Sequence, residues 1–180
     1  MSPLPLLAEL DRYRQRWPRE AAVGDFLDFA RREPRCFERS TVEGHFTGSA
    51  WLVGVDGARV LLTHHRKLDR WLQLGGHADG DAHLGRVALR EAEEESGLRA
   101  LALEPGIFDL DRHLIPARGA DPAHWHYDVR YVVRATADER FVVSAESHAL
   151  AWRRIDELAG DAGIDASLRR MAGKWLQRAG

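Results

Sequence analysis

The segment that most constrains this chain runs from Leu84 to Ser96 and is closed by Gly97-Leu98. It reads as a helix from about Asp81 to Ser96, with Asp81 as N-cap and Gly97 ending it in a left-handed conformation. On that helix Glu91, Glu94 and Glu95 stand at i, i+3 and i+4, so their carboxylates share one face and repel one another. A bound divalent cation would turn that repulsion into coordination. An all-oxygen, hard donor set suits magnesium or manganese. Arg90 stands one residue before Glu91 and four before Glu94, where it can fix a carboxylate by a charge-assisted hydrogen bond. Glu93, taken alone, reads as a solvated position.

The elements around this helix are short. Leu6, Leu7, Leu10, Tyr13 and Trp17 recur at helical spacing, and Pro34 limits a second helix carrying Val23, Phe26, Leu27 and Ala30. Residues 50–55 and 58–63 are apolar runs joined at Asp56-Gly57, a two-residue hairpin signal. Trp71-Leu72-Gln73-Leu74 leads into a Gly75-Gly76 turn. Past the helix, residues 98–103, 106–110 and 126–134 read as strands. In the last, Tyr127, Val129, Tyr131 and Val133 fall on one face and Asp128 and Arg130 on the other. Phe141-Val142-Val143 is expected to extend the sheet. Residues 155–158 and 168–177 read as helical. The expectation is one domain over residues 1–180, with residues 1–40 a helical extension packed on it.

The segment Gly76 to Leu98 resembles the Nudix box, Gly-x5-Glu-x7-Arg-Glu-U-x-Glu-Glu-x-Gly-U, where U is apolar. Gly76, Arg90, Glu91, Ala92, Glu94, Glu95, Gly97 and Leu98 stand at the required spacings, and Ala82 takes the place of the first glutamate. The resemblance implies a Nudix-like α/β/α sandwich with a mixed sheet, here with an extra N-terminal helical segment. It implies a metal-dependent hydrolase that cleaves a diphosphate linkage in a nucleoside diphosphate derivative or related phosphorylated metabolite, with Mg2+ or Mn2+ as cofactor. It makes Glu94 and Glu95 metal ligands, joined by Glu91 and the backbone carbonyl of Gly75. Glu91 also orients a water or serves as base, with Arg90 beside it. Glu146, six residues before Trp152, resembles the family's acidic residue before a final aromatic strand and is a second candidate base. Asp79 and Asp81 lie close enough in sequence to replace the charge absent at Ala82.

Substrate contacts are expected first in the run that enters the box: His65, Lys67, Gln73 and His77. Trp71 reads as a packing residue before a stacking one. The chain carries 9 histidines. Several gather at His64-His65, His77, His83, His113 and His124-x-His126, where alternation would put the last pair on one face of a strand. A zinc site is one reading of them and ordinary polar roles the other.

Composition narrows the remaining classes. A formal net charge of −2 with no basic stripe argues against nucleic acid as partner. Cys36 is the sole cysteine, so neither an intramolecular disulfide nor a cysteine zinc knuckle can form. No apolar run approaches the ~20 residues that cross a bilayer. The start of the chain lacks a signal-peptide pattern, and a cytoplasmic location is expected. A homodimer is compatible with the N-terminal helices. Two further readings stand beside the hydrolase: a Nudix-like module that binds a nucleotide without cleaving it, and a histidine-rich metal protein.

Overall fold

The computed structural model describes residues 3–119, 122–144 and 147–178. In chain order its elements are α1 (Leu4–Arg16), α2 (Val23–Arg32), β1 (Gly44–Val53), β2 (Arg59–His65), β3 (Arg70–Leu72) and β4 (Leu74–His77). They continue with α3 (Leu84–Ser96), β5 (Leu101–Leu103), β6 (Asp109–Ile115), β7 (His124–Ala135), β8 (Ser147–Arg154), α4 (Ile155–Gly160) and α5 (Ala166–Arg178). The sheet runs β3-β2-β1-β7-β5, with β4 paired to β1, β6 to β7 and β8 to β2. This is the expected α/β class with an N-terminal helical segment. Internal contacts gather into two compact units. The first is Met1–Ser49, Gly75–Ala88 and Pro105–Tyr131; the second is Ala50–Leu74, Leu89–Glu104 and Val132–Gly180.

In the first unit, α1 buries Leu6, Leu10 and Tyr13 and α2 buries Val23, Phe26, Leu27, Phe29 and Ala30, as their spacing predicts. Phe29 stacks on Tyr127 with ring centroids 4.1 Å apart, and Phe26 meets the same ring edge-on at 5.4 Å. Phe46 fills the angle between them, 5.5 Å from Phe29 and 5.7 Å from Tyr127. Such pairs add about 0.5–1.5 kcal/mol each beyond area burial. The N-terminal helices are thus part of this core.

Four expectations are corrected in this unit. Strand β1 begins at Gly44, because residues 44–49 pair although polar residues and glycines interrupt their apolar pattern. Gly48 is required there: a Cβ would lie 2.7 Å from the Leu84 carbonyl oxygen. Gly75-Gly76 is not a turn but lies in β4, and a Cβ on Gly75 would sit 2.2 Å from Ser49 Oγ. Glycine here permits close strand approach. Asp81 is not the N-cap: its Oδ1 accepts from His83 N at 2.8 Å, and α3 starts after His83, whose carbonyl accepts from Arg86 N and Val87 N. The strand expected at 106–110 begins at Asp109, since Gly106 has a φ of +86° and turns the chain first.

In the second unit, β2 lies antiparallel to β1, β3 and β8. The β1–β2 connection is longer than a two-residue turn. Gly54 N donates to Arg59 O at 2.9 Å, Gly57 N donates to Gly54 O at 2.9 Å, and Gly57 takes the left-handed φ of +69°. At the far end of α3, Gly97 has the expected left-handed φ, +72°, and donates to Glu93 O at 2.9 Å. The strand expected at 98–103 is only β5, because Leu98 N is taken by Ser96 Oγ at 3.1 Å. Phe141-Val142-Val143 forms no strand. Val142 N donates instead to Ser96 O at 2.8 Å, satisfying one of the carbonyls that a helix end leaves open. The sheet is extended by β8. The closing helix α5 buries Leu168, Met171, Ala172 and Trp175, and Trp175 Nε1 donates to Gly57 O at 2.9 Å.

Candidate functional site

The carboxylate face of α3 forms as its spacing requires. Glu95 is buried at 9% exposure, Glu91 is half-buried and Glu94 is exposed. Arg90 donates to Glu91 Oε1 at 2.9 Å, so the expected charge-assisted bond is made with the adjacent glutamate. The donor set offered here is three carboxylates on one helical turn, and withdrawing Glu95 from water is costly unless a cation or donor compensates it. That chemistry fits a hard divalent ion such as magnesium.

Position 82 is buried at 4% exposure, and its alanine brings no charge. Asp79 is held by a paired bond from Arg39, at 2.6 and 2.7 Å. Asp81 is committed to His83 N and to Arg86 at 3.0 Å. Gly75, expected to lend a carbonyl, lies in β4. Glu146 lies outside the described residues.

The expected substrate contacts fall into two groups. His65 ends β2, and its Nδ1 accepts from Lys67 N at 3.2 Å, so these two share the turn into β3. Gln73 follows β3 and is half-buried. Trp71 is half-buried with its ring 5.2 Å from that of His64, so it is packed but still reachable. His77, in β4, belongs to another grouping.

That grouping is a nest of imidazoles in the first unit. The rings of His77, His124 and His126 lie 5.1, 5.1 and 4.7 Å from that of His45. His126 is 5.2 Å from His77 and from His124, and 5.5 Å from His113. Pairing of β6 with β7 sets His113 directly opposite His126, and alternation along β7 puts His124 and His126 on one face as expected. Among the described residues, the His, Cys, Asp and Glu side chains whose ligand atoms all lie within 4.8 Å of one another are His45, His77 and His126. Burial first, then His77 and His124, pushes His45 down to about 4. Burial first, then His45, His77, His113 and His124, pushes His126 down to about 2. Both rings are therefore neutral at pH 7.

His45 went unnoticed in the sequence. The signal was the polar alternation His45, Thr47, Ser49 on one face of what proves to be β1. Thr47 and Ser49 donate to Asp128 Oδ1 at 2.9 and 2.7 Å. Asp128 in turn accepts from Arg130 Nε at 2.7 Å, and Arg130 reaches Asp109 at 3.2 Å and Asp111 at 3.4 Å. Burial disfavours the Arg130 charge, but three carboxylates outweigh it and hold its pKa above the ordinary value. Asp128 and Arg130, expected on the second face of β7, are thus buried in an ion network.

A family model described as the NUDIX domain matches residues 45–172. A search of curated proteins finds no match. Among solved structures, the chain is similar to a NUDIX-family hydrolase from Clostridium perfringens at 25% identity and a TM-score of 0.57, over 76% of this chain and 98% of that one. It resembles an Ap4A hydrolase from C. elegans in fold, at 15% identity and a TM-score of 0.59, over 74% and 96% of the two chains. It also resembles in fold the NUDIX domain of Shewanella oneidensis NrtR, solved with ADP ribose, at 16% identity and a TM-score of 0.52, over 85% and 97%. Among the described residues no helix is long and apolar enough to cross a membrane.

Proposed function

Because this chain belongs to the Nudix family, we propose that it is a magnesium-dependent pyrophosphohydrolase acting on a nucleoside diphosphate derivative or a related phosphorylated metabolite. The observation that carries the proposal is α3: Arg90 clamped to Glu91, with Glu94 and Glu95 one turn further on the same face. Neighbours solved as an Ap4A hydrolase and with ADP ribose support a nucleotide-like substrate. Manganese would substitute for magnesium, and a single buried cysteine accords with a cytoplasmic location.

Glu94 and Glu95 would hold the ion, with Glu91 beside them. When bound, the ion neutralises the diphosphate charge and lowers the pKa of a water. Glu91 is the proposed acceptor of a proton from the attacking water, with Glu146 as the second candidate base. Arg90 donates to Glu91 Oε1, which helps to fix the carboxylate plane. Water oxygen adds to phosphorus as the bridging P–O bond breaks, giving two phosphate products. His65, the last residue of β2, and Lys67, on the turn after it, are the proposed contacts to the anionic substrate, with Gln73 and His77 as further candidates.

The test is formation of the two phosphate monoester products from a panel of nucleoside diphosphate compounds, read by chromatography, with magnesium, manganese and no metal. Glu94→Gln/Glu95→Gln should lower kcat by at least about 10²–10³-fold, the loss typical when charge stabilisation is removed. Metal-dependent turnover that survives in this double variant would refute the assignment. One observation favours a second reading, a binding module without turnover: position 82 has no carboxylate, and Asp79 and Asp81 are engaged by Arg39 and Arg86. Magnesium-dependent binding of ADP ribose with no hydrolysis of any panel member would select it.

A further inference from the structure

We propose that His45, His77 and His126 form a second metal site, one that takes a borderline transition-metal ion such as zinc and is made of different residues from the α3 glutamates. The three side chains come from β1, β4 and β7, and each offers a ring nitrogen within 4.8 Å of the others. A tetrahedral zinc ion holds its nitrogens at about 2.0–2.1 Å, which sets them roughly 3.3 Å apart. Binding would draw the three ring nitrogens from within 4.8 Å of one another toward that spacing.

Two observations make this a ligand site and not a packed cluster. His45 is 1% exposed, and neither of its ring nitrogens has a hydrogen-bond partner among the described residues; the same holds for His126 Nε2. A buried polar atom left without a partner is costly, and native interiors avoid it. An ion accepting these lone pairs removes the cost. The surrounding rings are also in the right form. His124 Nδ1 lies 2.9 Å from the Pro122 carbonyl, which can only accept, so the proton sits on Nδ1 and Nε2 keeps its lone pair in the neutral ring. His113, opposite His126 on β6, has its Nδ1 3.2 Å from an Asp111 carboxylate oxygen, which holds that ring beside the site.

The donor chemistry decides between ions. Imidazole nitrogen suits zinc, cobalt and copper, whereas magnesium demands oxygen and retains its waters. Three histidines leave a fourth position for water or another ring, as in three-histidine zinc sites.

The protein, prepared without a histidine tag and stripped by chelator, is titrated with Zn2+ against a competing chelator and assayed for bound metal by mass spectrometry. Wild type and Glu94→Gln/Glu95→Gln should each bind one equivalent of zinc with equal affinity. His77→Gln and His126→Gln should weaken it by at least about 100-fold, since losing even an outer-shell partner weakens metal affinity about 10–100-fold. Metal-free melting curves establish that each variant is folded. Should His126→Gln not fold, His77→Gln, which alters a half-buried ring, decides with the Co2+-loaded wild type, whose visible absorption should show four-coordinate nitrogen ligation. Zinc retained by His77→Gln, zinc lost in Glu94→Gln/Glu95→Gln, or a Co2+ spectrum of six-coordinate water alone would each overturn the proposal.

Discussion

Arg130→Met should destabilise the protein by about 3–5 kcal/mol, the range observed when one partner of a buried ion pair is deleted. The Arg130 side chain is 3% exposed and shares its guanidinium among Asp128 at 2.7 Å, Asp109 at 3.2 Å and Asp111 at 3.4 Å. Asp109 is fully buried and the Asp128 side chain is 3% exposed, so neither carboxylate recovers water when the cation goes. Three carboxylates sharing one cation place the loss toward the upper end. At about 2–4 °C per kcal/mol for a chain of this size, the melting midpoint should fall by about 6–20 °C. Arg130→Lys keeps the charge but not the planar fork, and should fall between Arg130→Met and wild type. The assay is thermal unfolding followed by far-ultraviolet circular dichroism at pH 7. Arg59→Met is the control. Arg59 also holds two carboxylates, Asp56 and Glu139, but its side chain is 38% exposed, and its loss should lower the midpoint far less. Equal midpoints for Arg130→Met and Arg59→Met would refute the view that burial makes the Arg130 network costly to break.

Gly97→Ala should cost about 1–2 kcal/mol, because position 97 has a left-handed φ of +72° and a Cβ there would also meet Val142 at 3.2 Å. Gly97→Asn should cost less, and equal unfolding midpoints for the two would contradict this. Gly75→Ala should cost about 1–3 kcal/mol by overpacking, and adding Ser49→Ala should not restore stability. The reason is that the new Cβ would still lie 2.8 Å from the Ser49 backbone, so full rescue in the double variant would locate the clash in the hydroxyl alone. The Cys36 thiol is pushed up to about 11, mainly by burial, so it stays protonated until pH rises toward that value. At pH 8 only about one thiol in a thousand is ionised. A thiol reagent should label the denatured chain readily and the native one only at its rate of opening; prompt native labelling at pH 8 would show that Cys36 is not enclosed.

What could be read from the sequence is what local geometry fixes. The i, i+3, i+4 spacing of Glu91, Glu94 and Glu95 places them on one face of α3 whatever surrounds the helix, and Gly97 ends that helix because glycine accepts the left-handed φ at little cost. The faces of α1, α2 and α5 follow from the same periodicity. Strand pairing is a different matter. Residues 44–49 and Gly75-Gly76 are strands because a neighbouring strand accepts their hydrogen bonds, and nothing in Gly-His-Phe-Thr-Gly-Ser announces that neighbour. Phe141-Val142-Val143 carries a strand pattern and is not one, because Val142 N is spent on the end of α3. The burial of the second face of β7 was hidden likewise: alternation puts Asp128 and Arg130 on that face, but only the structure brings Thr47, Ser49 and Asp109 to them. The histidine nest is the clearest case. Its rings come from β1, β4, β6 and β7, and pairing with its neighbours, not proximity in the chain, makes His45 part of it. The sequence determined the carboxylate helix and its family, since a helix is a contract among residues a few positions apart. Which distant side chains share a buried site was decided only by tertiary structure, because a strand acquires its partners, and its buried face, from register with chain that lies dozens of residues away.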